Sequence, residues 1–226
     1  MRFVVTGANR GIGLEFVKQL TARGEQVDAT VRDPHDASEL QALARPGIRL
    51  DLHRLDVADD ASVDAFATQL KSGPVDVLIN NAGVSGVKGG ELIDPADIVR
   101  VLNVNAVGTL RVVRALLPRL REGKGRKIVN LTSQLGSIAE ASGGRYAYRM
   151  SKVALNMATK LLAGDLRAEG FLTVALHPGW VQTRMGGTAA PVPPEQSVAG
   201  MLRIIDALNA EQSGHTFDFQ GRPIPW

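Results

Sequence analysis

The octapeptide "TGANRGIG", residues 6–13, decides the fold. It follows a β-branched run, "RFVVT" at 2–6, and opens "GIGLEFVKQLTARG" at 11–24. In the second segment Ile12, Phe16 and Leu20 share one helical face, and Gly24 is placed to stop the helix. A strand that turns through glycines into a helix offers backbone N–H groups to an anion at the positive end of the helix dipole. Gly7 permits the tight turn, and Gly11 and Gly13 let the backbone approach a pyrophosphate. Asn9, Arg10 and Ile12 complete this candidate phosphate-binding turn. The spacing is G-x-x-x-G-x-G rather than G-x-G-x-x-G, so the strand–turn–helix context carries the reading.

Outward from this turn the pattern repeats. Strands are expected at 26–31, within 48–57, and at 75–80, 127–132, 172–178 and 214–219. Helical periodicity is expected at 36–45, 59–70, about 96–121 with an interruption near Asn103, and 147–170 ending at Gly170. Strands alternating with helices pair in parallel through right-handed crossovers. The expected fold is α/β: a single domain over 1–226, built on a doubly wound parallel sheet of about seven strands with helices on both faces. The Gly- and Pro-rich "TRMGGTAAPVPPEQS" at 183–197 lacks periodicity and follows the sixth strand, so it reads as a mobile flap over a ligand.

Composition excludes several classes. With no cysteine, disulfides, thiolate metal sites and thiol catalysis are ruled out. The four histidines, His35, His53, His177 and His215, lack ligand spacing, and no metal is expected. A net charge of +3 rests on a small excess of basic groups and gives no case for a nucleic-acid partner. No leader-like segment precedes "RFVVTGANRG", and no apolar run approaches the length of a spanning helix, so a cytoplasmic location is the expectation. One stretch, "RVVRALLPRLREGKGRK" at 111–127, holds seven basic residues and one acid, a candidate for peripheral contact with anionic lipid. The competing reading places its cations at a helix C-terminus, where the dipole favours them.

Sheets that bind NAD carry an acid at the end of the second strand to hold the ribose 2′-hydroxyl. Here Val31 fills that place and Arg32 follows it. Arg32 and Arg10 suit a 2′-phosphate, which points to NADP(H) over NAD(H). Asp33 is the complication, since a strand ending one residue later would bring an acid to the ribose.

Both tyrosines of the chain lie in "RYAYRMSK", 145–152. Tyr148 and Lys152 stand at i and i+4, on one helical face, whereas Tyr146 does not share that spacing. An adjacent ammonium and a cationic nicotinamide would favour the phenolate and lower its pKa, so Tyr148 is the candidate proton donor and acceptor.

These pieces occur in order with "LDV" at 55–57, "NNAG" at 80–83, "NVNAVG" at 103–108, "NLTS" at 130–133 and "HPGWVQT" at 177–183. Together they resemble the short-chain dehydrogenase/reductase family from end to end, a Rossmann-like family. "GGRYAYRMSKVALNM" and "LHPGWVQTRMGG" are similar to its C-factor branch, which joins a developmental-signal precursor to carbonyl-reductase-like relatives. The resemblance implies an NADP-dependent carbonyl reductase or alcohol dehydrogenase acting on a small-molecule carbonyl or alcohol; the alternative is a surface- or membrane-associated developmental signal with catalysis secondary. It implies Tyr148 as general acid/base, Lys152 as the residue that lowers its pKa and bonds the nicotinamide ribose, Ser133 as the group that holds the substrate oxygen, with Ser137 as its rival, and Asn105 as holder of a relay water. For the cofactor it implies Asp56 and Val57 at the adenine, Asn80, Ala82 and Gly83 along the adenosine, and Pro178, Gly179, Val181 and Thr183 at the nicotinamide end. Arg184 stands where relatives in that branch often carry an acid. A homo-oligomer, dimer or tetramer, is implied through the helices at about 103–121 and 147–168. Met185 and Leu135 suggest an apolar substrate lining, shaped also by the loop at 84–94.

Overall fold

The computed structural model describes residues 1–87 and 93–226. Residues 88–92 of the loop expected at 84–94 to shape the pocket therefore lie outside the described residues. Seven strands form one parallel sheet: β1 (Arg2–Val5), β2 (Gln26–Val31), β3 (Leu50–Arg54), β4 (Val77–Asn80), β5 (Lys127–Leu131), β6 (Leu172–His177) and β7 (His215–Asp218). Their spatial order is β3-β2-β1-β4-β5-β6-β7, with every neighbouring pair parallel. The order reverses between β1 and β4, and there the crevice at the carboxyl ends of the strands opens.

The five inner strands are buried on both faces along most of their length, as a sheet covered twice requires. Phe3, Val5, Val77, Ile79, Val129 and Val174 point into one core, shared with α1 (Gly11–Ala22), α2 (Ser38–Leu43) and α7 (Pro194–Ala207). Their alternates Val4, Leu78 and Ile128 enter the other, with Phe66 of α3 (Asp60–Gln69) and Val112, Leu116 and Leu120 of α5 (Gly108–Glu122). Between α4 (Pro95–Leu102) and α5 the backbone widens into a π turn, Asn103–Val107. The interruption expected near Asn103 is thus a single wide turn inside a continuing helix, a feature often found at functional sites.

Four expectations need correction. The helix expected at 36–45 divides into a 3₁₀ turn, Pro34–Asp36, and α2, because the Asp33 side chain accepts from the His35 N–H and starts a separate short turn. The long helix α6 (Tyr146–Asp165) stops before Gly170; a 3₁₀ turn, Arg167–Glu169, bridges to that glycine, whose φ of +79° ends the helical path. The expected flap is shorter than 183–197, since α7 already begins at Pro194. Proline is at home in a first helical turn, where its missing N–H costs nothing, so "PVPPEQS" hid a helix start. The flap is also stitched at its base rather than hanging free: Val181 bridges Val192, the Gln182 N–H donates to the Val192 carbonyl, and the Val192 N–H donates to the Trp180 carbonyl.

Candidate active site

The glycine turn joins β1 to α1 as expected. Gly7 has φ of +65°, a left-handed conformation that an L side chain resists. A Cβ on Gly13 would overlap the Gly7 carbonyl oxygen and Asn81 Nδ2. No side chain caps the start of α1, and its first turn holds no acid, so its leading N–H groups remain for an anion. The turn also meets the far end of the chain: a Cβ on Gly11 would lie 3.2 Å from the Thr183 methyl.

β2 ends at Val31, so exposed Arg32 leaves the sheet directly at the crevice. The Asp33 side chain accepts from the His35 N–H through one of its two oxygens. Arg10 is exposed in the same region and Asn9 Nδ2 donates to the Asp36 carbonyl, tying the glycine turn to the segment after β2. Beyond β3, Asp56 accepts from the Ala58 N–H, and Val57 is buried against Gly108, where any side chain would strike the Val57 backbone.

The "NNAG" segment behaves differently from its expectation at one position. The Asn80 side chain turns into the protein and donates to Asn130 Oδ1 at 2.9 Å, and Asn130 in turn donates to the Thr159 hydroxyl. Its side chain is therefore a rung of the buried sheet. Asn81, which the sequence reading passed over, braces the turn instead: its Nδ2 donates to the carbonyls of Thr6 and Gly7. The Thr6 hydroxyl accepts from the N–H groups of Asn81 and Ala82, placing Ala82 against Gly7. Gly83 in turn lies close against Asn105.

Tyr148, Lys152 and Ser133 meet at the carboxyl ends of β5 and β6. Gly143, Gly144 and Arg145 all have positive φ, and this left-handed run reverses the chain so that α6 starts at Tyr146. Lys152 is buried, its Nζ donating at 2.7 Å to the Leu131 carbonyl and standing 5.6 Å from the Tyr148 ring centroid. Burial brings its pKa from 10.5 down to about 8. Burial pushes the Tyr148 phenol up, against the pull of the Ser133 hydroxyl and the charge of Arg145. In the chain alone, burial outweighs the neighbouring groups that lower the phenol's pKa. Lys152 lies over the ring and bonds a carbonyl, while desolvation sets the direction and Arg145 is the opposing cation. Arg145 was missed because nothing in its spacing relative to Tyr148 reveals a left-handed backbone.

Of the rival serines, the structure brings Ser133 to the phenol. Ser137 is occupied elsewhere, accepting from the Glu140 N–H and donating to the Trp226 carbonyl. Asn105, 1% exposed in the π turn, accepts from the Val84 N–H and donates to the Val84 carbonyl and the Ser151 hydroxyl. Both hydrogens of its amide nitrogen are thus used within the protein, and the Thr109 hydroxyl donates to its backbone carbonyl. At the other rim, Pro178 accepts from Ser197 through its carbonyl, Gly179 has φ of +86°, and Val181 is buried.

A family model described as short chain dehydrogenase matches residues 2–192. The chain belongs to the short-chain dehydrogenase family. C-signal of Myxococcus xanthus is 58% identical over 165 residues, covering 72% of this chain and 99% of that protein. The NADPH-bound carbonyl reductase from chicken fatty liver superposes with a TM-score of 0.93 at 37% identity, covering 100% of this chain and 98% of that one. Carbonyl reductase Sniffer of D. melanogaster superposes with a TM-score of 0.92 at 33% identity, covering 100% and 99%. These relatives place the chain among oxidoreductases of this family and show NADPH held in the same fold.

In this member of the short-chain dehydrogenase family, the basic stretch at 111–127 is largely engaged within the protein. Arg111 and Arg114 pair with Asp60, and Arg121 pairs with Glu169. Arg119 donates to the carbonyls of Leu70, Lys71 and Gly73, Arg126 to those of Glu169 and Arg121, and Lys127 to those of Ile205 and Asp206. They close loop and helix ends, where carbonyls need donors. Among the described residues no helix is long and apolar enough to cross a membrane, and no cluster of His, Asp or Glu could hold a metal ion.

Proposed function

We propose that this protein is an NADP-dependent oxidoreductase that interconverts a carbonyl compound and its alcohol, with Tyr148 as general acid/base. The observation that carries the reading is the convergence of Tyr148, Lys152 and Ser133 at the strand ends beside an uncapped, glycine-lined helix start. Gly7, Asn9, Arg10, Gly11, Ile12 and Gly13 would hold the pyrophosphate and Arg32 the 2′-phosphate, with Asp56, Val57, Ala82 and Gly83 at the adenosine end. Pro178, Gly179, Val181 and Thr183 would hold the nicotinamide end. The bound nicotinamide supplies or accepts the hydride. Tyr148 gives its phenolic proton to the carbonyl oxygen, and Ser133 donates a hydrogen bond to that oxygen where negative charge develops. Lys152 stabilises the phenolate left behind and meets the ribose, and the Asn105 carbonyl anchors the water that returns the proton. A cytoplasmic location belongs to the same reading.

Binding of NADPH and NADH, followed by nicotinamide fluorescence, tests it, together with NADPH-dependent turnover of a panel of aldehydes and ketones. NADPH binds more tightly than NADH, and Arg10→Ala/Arg32→Ala erases about ten-fold or more of that preference, since each charge-assisted bond contributes roughly 1.5–3 kcal/mol. Equal affinity for the two cofactors in the unaltered protein would refute the assignment of the arginines.

The likeness to C-signal favours a second reading, a developmental signal in which catalysis is secondary. Failure to bind either cofactor would move the protein to that reading. We also propose a homo-oligomer, dimer or tetramer, through the face where Val107 and Leu110 lie near the start of α5 and Met150, Met157 and Leu161 stand exposed on α6. Sedimentation equilibrium should give a multiple of 24.1 kDa, and Met157→Glu/Leu161→Glu should return it to one chain mass; an unaltered protein that sediments as a monomer would remove the proposal.

A further inference from the structure

A pocket of ≈ 440 Å³ lies beside the candidate catalytic cluster, at the carboxyl ends of β6 and β7. Its walls include Gln134, next in the chain to Ser133, and Gly179, next to Pro178. His177, at the end of β6, is near enough to Lys152 to feel its charge. The size suits one small organic ligand, within the range of about 300–1,000 Å³ that such sites occupy.

The lining is not the apolar one expected from Leu135 and Met185, neither of which lies on it. Trp180, Phe219 and Ile224 supply a hydrophobic wall. The lining also holds polar side chains with hydrogen-bonding capacity left over, Glu140 and His177 among them. Gln134 Nε2 donates to Glu140 Oε2 at 2.7 Å, which leaves the second carboxylate oxygen of Glu140. His177 Nδ1 is sealed in protein without a partner, so the accessible edge of the ring carries Nε2. Burial lowers the His177 pKa to about 4, which keeps the ring neutral at pH 7. Asp218 and Arg222 neutralise each other at 2.6 Å, and the Asp218 carboxylate is further saturated by the N–H groups of Gln220 and Arg222. Among the described residues Glu140 has no ion-pair partner, although Arg222 lines the same pocket, paired with Asp218.

We propose that this pocket binds the non-reacting end of the substrate, and that Glu140 and His177 select carbonyl compounds whose ring or alkyl body ends in a hydrogen-bond donor, a hydroxyl or a protonated amine, against those ending in a carboxylate. The inference rests on the oxidoreductase reading above and deepens it by naming a substrate class. The apolar body packs on Trp180 and Phe219, and the donor reaches the free oxygen of Glu140 and the exposed ring nitrogen of His177. A carboxylate placed beside Glu140 would meet a like charge, and Arg222, the cation of the lining, already pairs with Asp218 through its Nε.

The chain has two tryptophans, so Trp226→Phe leaves Trp180 as the single reporter in the pocket wall. In that background we would titrate cyclohexanone, 4-hydroxycyclohexanone, 4-(aminomethyl)cyclohexanone and 4-oxocyclohexane carboxylate, reading Trp180 emission and, separately, NADPH oxidation. The hydroxyl and aminomethyl compounds should bind about ten-fold more tightly than cyclohexanone, and the carboxylate more weakly than cyclohexanone. Glu140→Gln should reduce the aminomethyl compound to the level of the hydroxyl one, and His177→Phe should narrow the gap between the hydroxyl compound and the parent. A carboxylate that binds as well as the amine, or a ranking untouched by both substitutions, overturns the proposal. Ranked binding without NADPH oxidation would support the pocket and refute the oxidoreductase reading; oxidation of NADPH without ranking would do the reverse.

Discussion

Tyr148→Phe should lower NADPH-dependent carbonyl reduction by about 10²–10⁴-fold, the range for loss of a positioned general acid. Phenylalanine keeps the ring that Lys152 overlies and removes only the hydroxyl that faces Ser133. NADPH affinity should change little, because the glycine turn and its arginines lie on other elements. A variant that retains more than a tenth of the unaltered rate would remove Tyr148 from the chemistry. Because burial raises the phenol's pKa, the hydroxyl is protonated through the neutral range and ready to donate. Reduction should therefore hold its rate at neutral pH and decline only as the phenol ionises on the alkaline side.

Lys152→Met should cost a similar factor in turnover and raise stability near neutral pH. An ammonium buried to 6% exposure, with a pKa brought from 10.5 to about 8, is held in its charged form against desolvation. The shift corresponds to about 3 kcal/mol, and the lost bond to the Leu131 carbonyl returns about 1 kcal/mol. The net gain of about 2 kcal/mol should raise Tm by roughly 4–8 °C in a chain of this size. The pH dependence gives the sign. Below about 8 the lysine is protonated in folded and unfolded chains alike. Between about 8 and 10.5 the unfolded chain keeps a proton that the folded chain has shed, so stability rises with pH in the unaltered protein. Tyr148, whose folded pKa is raised above 10.0, acts in the opposite sense only above that value. Thermal melts between pH 8 and 9.5 should therefore rise in the unaltered protein and stay flatter in Lys152→Met. A drop in Tm at pH 7 would show that the ammonium is net stabilising.

The two expected outcomes together would mark a site that trades stability for chemistry. A buried cation lies over the phenol that would move the proton, and Asn105 ties the π turn to Val84 and to Ser151 of α6. Such local departures from regular structure are expected where function overrides packing.

Local spacing made much of this legible in the sequence. Strand alternation predicted seven parallel strands, and β2 was bounded correctly at both ends because its neighbours are charged or glycine. The i,i+4 spacing of Tyr148 and Lys152 and the glycines after β1 are properties of one helix and one turn, so the chain states them directly. Tertiary structure alone decided the rest, because it depends on which distant segments meet. Thr183 closes on Gly11, Asn81 holds the turn from the next strand over, Ser133 and not Ser137 faces the phenol, and His177 shares a pocket with Glu140 and the segment after β7. Desolvation is likewise a sum over all neighbours, so no pattern along the chain could show that burial, rather than the adjacent ammonium, sets the direction in which the Tyr148 pKa moves.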